Sequence, residues 1–359
     1  MRRFALPLLA GWLWLFAAAL PAIADGGRDA FYRGEIAARM DAFFAANGGW
    51  LRRADFERHT STWVDPVSVK YRGYDVHELP PNGQGIAALQ MLNILEGFDL
   101  KAMGFNSPDA LHVMIEAKKL AFEDRAKFYA DPEFSKVPLR GLLSKEYAAQ
   151  RRALIRMDRA ARTYDAGNPA LQEGDTIYLT TADADGNMVS FIQSNYRGMG
   201  SGVVVPGLGF GFQNRGEMFT LEAGHANDYA PGKRPFHTII PAFVTKDGEP
   251  WLSFGLMGGA MQPQGHMQVF SRIVDYGQNP QAAIDGPRWR VHELDKTIWV
   301  EEHMPADTAN GLESKGHKVT RTKAPSFDFG SSQIIWRYPE GGAYLGASES
   351  RRDGAAVGF

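Results

Sequence analysis

One change of character constrains this chain more than any other feature: its apolar spacing is mainly helical before Asp165 and mainly strand-like after it. Helical spacing runs over Arg28 to Asn47, from about Ile86 to Glu96 and from about Ser107 to Tyr129. A charged, arginine-rich helix is expected from about Lys145 to Arg162. Val67 to Glu78 interrupts these helices as a strand pair about the turn Arg72-Gly73, and Pro80-Pro81-Asn82-Gly83-Gln84-Gly85 breaks the chain. The polar stretch Ala166 to Asp175 predicts an exposed turn region. Beyond it Thr176–Ala182 and Met188–Ser194 flank Asp183-Ala184-Asp185-Gly186-Asn187, a strong hairpin signal. Thr238–Thr245 and Pro250–Leu256 flank a second hairpin at Lys246-Asp247-Gly248-Glu249, and a helix follows from about Pro263 to Tyr276. Helices, then antiparallel hairpins, then helices imply an α+β fold in which helical layers cover sheets.

Length and composition narrow the function classes. The chain has 359 residues, enough for one large domain or two ordinary ones. Its net charge of -2 gives no general attraction to nucleic acid or anionic membrane. The absence of cysteine excludes disulfides, thiolate nucleophiles and cysteine-ligated metal sites. Met1-Arg2-Arg3, the apolar run Phe4 to Ala19 and the small-x-small step Ala22-Ile23-Ala24 predict a secretory signal over residues 1–24, cut before Asp25. That places the protein in the periplasm or outside the cell. The other reading of this segment is a buried helix, which leaves the protein cytoplasmic. No other stretch is apolar over a bilayer's width.

Few residues stand out as chemistry. Thr176 opens a strand after the polar stretch, and the partner strand returns to Ser194 at about its level. On its own Thr176 reads as an ordinary strand residue. Gly258-Gly259 ends the apolar strand Trp251 to Leu256 and precedes a helix. Such a pair suits either an oxyanion hole, built from free backbone N–H groups, or a tight strand-to-helix turn. Gly207-Leu208-Gly209-Phe210-Gly211 reads as a sheet corner rather than a dinucleotide fingerprint. His237 and His266 lie in the glycine- and proline-rich region; a hydrogen-bonded structural role is expected for His266. No P-loop, His-Glu-x-x-His or Gly-x-Ser-x-Gly motif is present, so neither a metal nor a cofactor is expected.

Taken together, the motifs resemble the γ-glutamyltranspeptidase family. Gly174-Asp175-Thr176-Ile177-Tyr178 with Asp183-x-Asp185-Gly186-Asn187 is similar to that family's processing site. Gly200-Ser201-Gly202, Lys233-Arg234-Pro235, Pro241, Gly258-Gly259, Gly346-Ala347-Ser348 and Arg351-Arg352-Asp353-Gly354 follow in the family's order. Asp29-Ala30-Phe31-Tyr32-Arg33-Gly34, Tyr71-Arg72-Gly73-Tyr74 and Asp124-Arg125 precede it. The resemblance covers about residues 27–359. It implies a four-layer αββα sandwich of the N-terminal-nucleophile hydrolase type. It also implies self-cleavage between Asp175 and Thr176, giving a partial large-subunit region (25–175) and a small-subunit region (176–359) that remain together as a heterodimer. Thr176 is then the nucleophile, with its own α-amine as base. Ser194 falls where the family has a threonine bonded to the nucleophile, and Gly258 and Gly259 match its oxyanion glycines. The implied substrate is a small γ-glutamyl or related amide, with acyl transfer to water or an amine.

The pattern departs from the family at three places. The N-terminal portion of the large subunit is missing, including an arginine that pairs with the substrate carboxylate; its loss is expected to expose apolar surface and an unpaired sheet edge. Substrate-binding positions fall on Tyr196, on Met218 beside Glu217, and on His237-Thr238, and a methionine cannot pair with an ammonium. Gln193-Ser194-Asn195-Tyr196, Asn214-Arg215-Gly216 and Gln262-Pro263-Gln264-Gly265-His266 resemble the family's amidohydrolase and acylase branch. Arg215 suits either a substrate carboxylate or a structural ion pair. The alternative to an active enzyme is an inactive relative, or half of a split enzyme working with a partner chain.

Overall fold

The computed structural model describes residues 19–161, 175–293, 295–323, 327–338 and 340–359. These form two compact units. One comprises the described residues up to Trp63 with Arg197–Asn214, the other Val64–Tyr196 with Arg215–Phe359. Compactness therefore does not follow the 175/176 junction, which is expected on chemical grounds.

In the smaller unit, helices α1 (Ala19–Tyr32) and α2 (Glu35–Ala46) replace the single helix expected over 28–47. The chain breaks at Arg33-Gly34, whose N–H groups both close on the Asp29 carbonyl at 2.9 and 2.8 Å. The expected signal cleavage point before Asp25 falls inside α1, and residues 1–18 lie outside the described part. Ile36, Ala37 and Met40 pack on Val205 and Leu208. Among the described residues no helix is long and apolar enough to cross a membrane. The Gly207–Gly211 run forms a loop closed by the bridge Val204↔Gly211, and only the single 3-10 turn Arg215–Met218, no α-helix, lies between it and Ala242.

The larger unit is built on an antiparallel sheet in the order β1-β2-β5-β6-β10-β11. Its strands are β1 (Val67–Tyr71), β2 (Tyr74–Glu78), β5 (Ala242–Lys246), β6 (Glu249–Met257), β10 (Ser331–Arg337) and β11 (Tyr344–Ser348). Both expected turns form where φ is positive, at Arg72-Gly73 (51° and 85°) and Asp247-Gly248 (52° and 86°). Strand β5 starts later than its apolar run suggests, because the Ile240 N–H is taken by Gln262 Oε1 instead of a neighbouring strand.

Two helices, α3 (Gly85–Leu95) and α6 (Met261–Val274), cover one face of this sheet, and α4 (Pro108–Phe128) packs on α3. Every residue of α3 is buried, as its all-round apolar sequence requires. Helix α4 starts at Ser107, whose Oγ accepts the Ala110 N–H at 3.1 Å, a cap contributing ~1 kcal/mol. Helix α5 (Lys145–Arg152) stops well short of Arg162; the chain instead turns to lay the Ala160 N–H on the Lys315 carbonyl at 2.7 Å. Beyond α6 lie α7 (Pro280–Asp285), α8 (Ala306–Ser314) and the small sheet β7 (Trp289–Val291), β8 (Ile298–Glu301) and β9 (Val319–Thr322). Buried Arg351 ties the C-terminal segment down through Glu301 and Glu349, at 2.5 and 2.6 Å.

A second sheet, β3 (Asp175–Ala182) with β4 (Met188–Tyr196), lies on the other face of the large sheet. Hydroxyls fasten the two at Ser253: Thr180 Oγ1 donates to Ser253 Oγ at 2.7 Å, and the Tyr178 hydroxyl, 2.8 Å from Ser190 Oγ on β4, lies 3.5 Å from the same Ser253 oxygen. The Tyr178 ring lies so close to Gly255 that a Cβ there would come within 2.3 Å of it. On the outer face of β3–β4, Ile177, Leu179, Val189 and Phe191 are exposed.

Candidate functional site

Thr176 occupies an irregular step in the β3–β4 ladder. Asp175 pairs with Tyr196 and Ile177 with Gln193, so Ser194 and Asn195 together oppose Thr176. This bulge aims Ser194 at the threonine instead of continuing the alternation. Thr176, itself 5% exposed, donates from Oγ1 to Ser194 Oγ at 3.1 Å. The Tyr196 N–H donates to the same Ser194 oxygen at 2.8 Å. Tyr196 is fully buried with φ at 76°, a left-handed conformation rare for an aromatic residue. The Arg215 guanidinium sits 5.4 Å from the centre of its ring. The polar stretch preceding Asp175 lies outside the described residues.

The glycine pair follows the end of β6 towards which β3 runs back to Thr176. Thr180 faces Ser253 and Tyr178 faces Gly255, so each two-residue step back along β3 matches a two-residue step forward along β6. Thr176 lies two residues before Tyr178 on β3, and Gly258-Gly259 follows Met257, the last residue of β6. Both glycines have positive φ, 124° and 57°, which a side chain would strain. Their carbonyls accept the Met261 and Gln262 N–H groups at 2.9 and 3.1 Å as α6 begins. Consecutive glycine N–H groups at a helix start can receive a developing negative charge.

A wall carrying Arg215 stands against Tyr196, the residue opposite Asp175 in the ladder. Buried Arg215 donates from Nη1 to Thr238 Oγ1 at 3.2 Å and lies 3.9 Å from Met218 Sδ. Burial lowers the Arg215 guanidinium to about 10, so it remains charged at neutral pH. Burial also pushes the His237 imidazole down to about 3, and Arg215 and Arg234 add to the shift, so His237 is neutral. Glu217 is exposed on the same short turn that buries Met218. His266 is turned away into the helical layer, where Nδ1 meets buried Glu78 Oε1 at 2.7 Å.

Comparison with known proteins settles the ancestry. A model of the γ-glutamyltranspeptidase family matches residues 15–359. The chain belongs to this family. It is 40% identical over 348 residues to a glutathione hydrolase-like YwrD proenzyme of Bacillus subtilis (strain 168), covering 96% of this chain and 65% of that protein. It is 37% identical over 343 residues to an acylase ACY 1 proenzyme of Pseudomonas sp. (strain SE83), covering 95% of this chain and 60% of the relative. The chain thus spans less than two thirds of the length of these relatives. Among solved structures, a cephalosporin acylase from Bacillus halodurans superposes with a TM-score of 0.89 at 47% identity, covering 96% of this chain and 62% of that one. The fold is accordingly that of the N-terminal-nucleophile hydrolases in this family.

Two further groups of this family member have no counterpart in the sequence reasoning. His112, Glu116 and His317 bring their ligand atoms within 4.8 Å of one another. His112 Nδ1 meets His317 Nε2 at 2.8 Å, His112 Nε2 meets the Arg156 carbonyl at 2.7 Å, and Lys119 pairs with Glu116 at 2.6 Å. With Lys119 neutralising the carboxylate and Lys315 adding positive potential, this group locks α4 to the segment after α8 rather than inviting a cation. The second is Gln84, which contacts both the wall and the glycine turn. In the sequence it is visible only as part of a proline- and glycine-rich break.

Proposed function

We propose that the chain carries the catalytic centre of a self-processing amide hydrolase or acyltransferase with Thr176 as nucleophile. In the precursor, Thr176 Oγ1 adds to the Asp175 carbonyl, the acyl group moves from nitrogen to oxygen, and water hydrolyses the ester. Thr176 then carries a free α-amine with an ordinary pKa of about 8, close enough to neutrality to serve as base. The amine takes the hydroxyl proton as Oγ1 attacks a substrate amide. Gly258 and Gly259 receive the oxyanion, and the leaving amine collects the proton as the acyl-enzyme forms. Water or a second amine releases the acyl group. Ser194 keeps the nucleophile's rotamer, since a serine hydroxyl is too weak a base to do more.

The wall suggests which acyl groups fit. Arg215 and Thr238 suit a carboxylate at the far end of the acyl chain, with neutral His237 beside them. Glu217 is exposed and Met218 takes the buried place, so an ammonium on the acyl chain gains no ion pair there. A carboxylate-bearing acyl amide of the glutaryl type fits this wall better than a γ-glutamyl one.

The observation that carries the proposal is the bulge that joins Thr176 to Ser194. Intact mass after expression tests it. Two fragments meeting at Asp175/Thr176 are expected, and a single chain from Thr176→Ala. A wild-type chain as intact as that control refutes it. γ-Glutamyl, glutaryl and short oxo-amide substrates then rank the acyl groups.

A further inference from the structure

Gln84 is fully buried at the end of the Pro80–Gly85 break, directly before α3. Its carboxamide joins two parts of the site that come from distant stretches of chain. Nε2 donates to the Thr238 carbonyl and to the Gly259 carbonyl, each at 2.8 Å. Oε1 accepts from Arg125 Nη1 at 2.8 Å. Both N–H donors of the amide are therefore in use, one on the recognition wall and one on the glycine turn.

The amide cannot reverse. Arg125 Nη2 donates to Glu293 Oε2 at 2.8 Å, and Lys118 Nζ donates to Glu293 Oε1 at 2.9 Å, all deeply buried. The guanidinium also lies 3.6 Å from the centre of the Phe122 ring. Burial alone would raise Glu293, but Lys118 and Arg125 outweigh it and hold the carboxyl well below its usual range. Arg125 is thus clamped, and it fixes Oε1 on its own side. A flipped Gln84 would set Oε1 against two carbonyl oxygens and its NH2 against a guanidinium. The direction of the amide is consequently set by α4.

Gly258 and Gly259 most need such an anchor. Glycines at positive φ can rotate their flanking peptide planes with little steric penalty, and a rotation here would turn an N–H away from the reacting carbonyl. The Gly259 carbonyl shares its peptide plane with the Ala260 N–H and also accepts the Gln262 N–H; the second bond, from Gln84, restrains ψ at Gly259 and through it the orientation of the preceding plane that carries the Gly259 N–H.

We infer that Gln84 is a positioning residue that keeps the oxyanion turn and the acyl-recognition wall in one register. The inference rests on the acyl-transfer reading of this site. Gln84→Glu in the full chain still accepts from Arg125 but opposes a carboxylate to both carbonyls. With glutaryl-p-nitroanilide as probe it is expected to lower kcat about 10- to 100-fold, from lost oxyanion alignment, and to raise KM several-fold as the Thr238 side of the wall shifts with it. Gln90→Met, in the same buried layer but bonded to Asp124 instead, is expected to lower the Tm and leave kcat alone. Independently of turnover, amide hydrogen exchange over Gly258–Gln262 is expected to accelerate in Gln84→Glu while α4 keeps its protection. If the glutamate variant does not fold, Gln84→Met decides by the same readouts. Wild-type kcat together with wild-type exchange in either variant overturns the inference. An inactive wild type overturns the reading of Thr176 instead, and the exchange measurement then decides for Gln84 alone.

Discussion

Ser194→Ala tests the junction on which the site depends. The serine oxygen accepts two hydrogen bonds, one from Thr176 Oγ1 and one from the Tyr196 N–H. Losing the first costs about 0.5–1.5 kcal/mol. Losing the second costs about 1–3 kcal/mol, because it deprives a buried backbone donor of an acceptor. The donor belongs to Tyr196, whose positive φ depends on the surrounding contacts to persist. A total near 3 kcal/mol is expected, a large fraction of the roughly 5–15 kcal/mol that stabilises a typical domain. The chemical effect is separate. Without the Ser194 acceptor the Thr176 hydroxyl loses one of the bonds that set its rotamer, and self-cleavage is expected to slow about 10- to 100-fold, the usual penalty for a mis-set nucleophile. Denaturant unfolding reads the first effect, and a mass-resolved time course of fragment appearance reads the second. Ser194→Thr returns the hydroxyl and is expected to restore both. If Ser194→Ala cleaves at the wild-type rate and unfolds at the wild-type midpoint, the bulge contact is incidental and the reasoning fails.

Other perturbations read other parts of the site. Arg215→Met is expected to raise KM for a carboxylate-bearing acyl amide about 10- to 100-fold, the loss of one charged hydrogen-bonded contact, with a smaller change for an acyl group lacking the carboxylate; equal losses for both refute the wall. In wild type, KM for the carboxylate substrate is expected to rise above pH 10 as Arg215, lowered to about 10 by burial, loses its proton. Gly259→Ala places a side chain at φ 57° and is expected to depress kcat more than stability, checked by steady-state rates beside thermal melts. Burial, with Lys119 and His112 adding to it, pushes His317 down to about 3. The folded imidazole is then neutral while the unfolded one protonates near 6.5, so acid favours the unfolded chain. Stability from this group is full above pH 6.5 and falls by about 1.4 kcal/mol per pH unit towards pH 3. His317→Asn is expected to flatten that slope in denaturant melts at pH 7, 5 and 4.

Much of the fold is legible in the sequence because it rests on local chemistry. Arg72-Gly73 and Asp247-Gly248 form hairpins since their residues tolerate positive φ. Ser107 starts a helix since its hydroxyl caps it. Where tertiary bonding wins, local spacing misleads. The Lys145 helix ends at Arg152 although nothing in its residues forbids continuation to Arg162, and β5 begins only after Gln262 has claimed the Ile240 N–H. At the site, Thr176 and Ser194 are within reach of sequence argument because a short hairpin joins them. Gln84, Arg125 and Glu293 are not: they meet across 41 and 168 residues, and no periodicity records such a meeting.

That contrast bears on how the site divides its labour. The nucleophile and its rotamer depend on one hairpin, fastened to the large sheet by Tyr178, Thr180 and Ser253. The acyl wall depends on a separate loop carrying Arg215 to Thr238. Substitutions on that loop other than at Arg215, which stacks on Tyr196 of β4, can change which acyl group is bound while β3 and β4 keep Thr176 in place. The glycine turn belongs to neither part, and Gln84 joins it directly to the wall, beside the longer route from the Ile240 N–H through Gln262. Exchange of Met218 for a glutamate therefore has a definite expected outcome. It adds a carboxylate within reach of Arg215, favours an acyl chain bearing an ammonium and weakens a plain carboxylate, while the rate of self-cleavage at Asp175/Thr176 stays as it is. A slowed cleavage in Met218→Glu refutes the separation of wall from nucleophile.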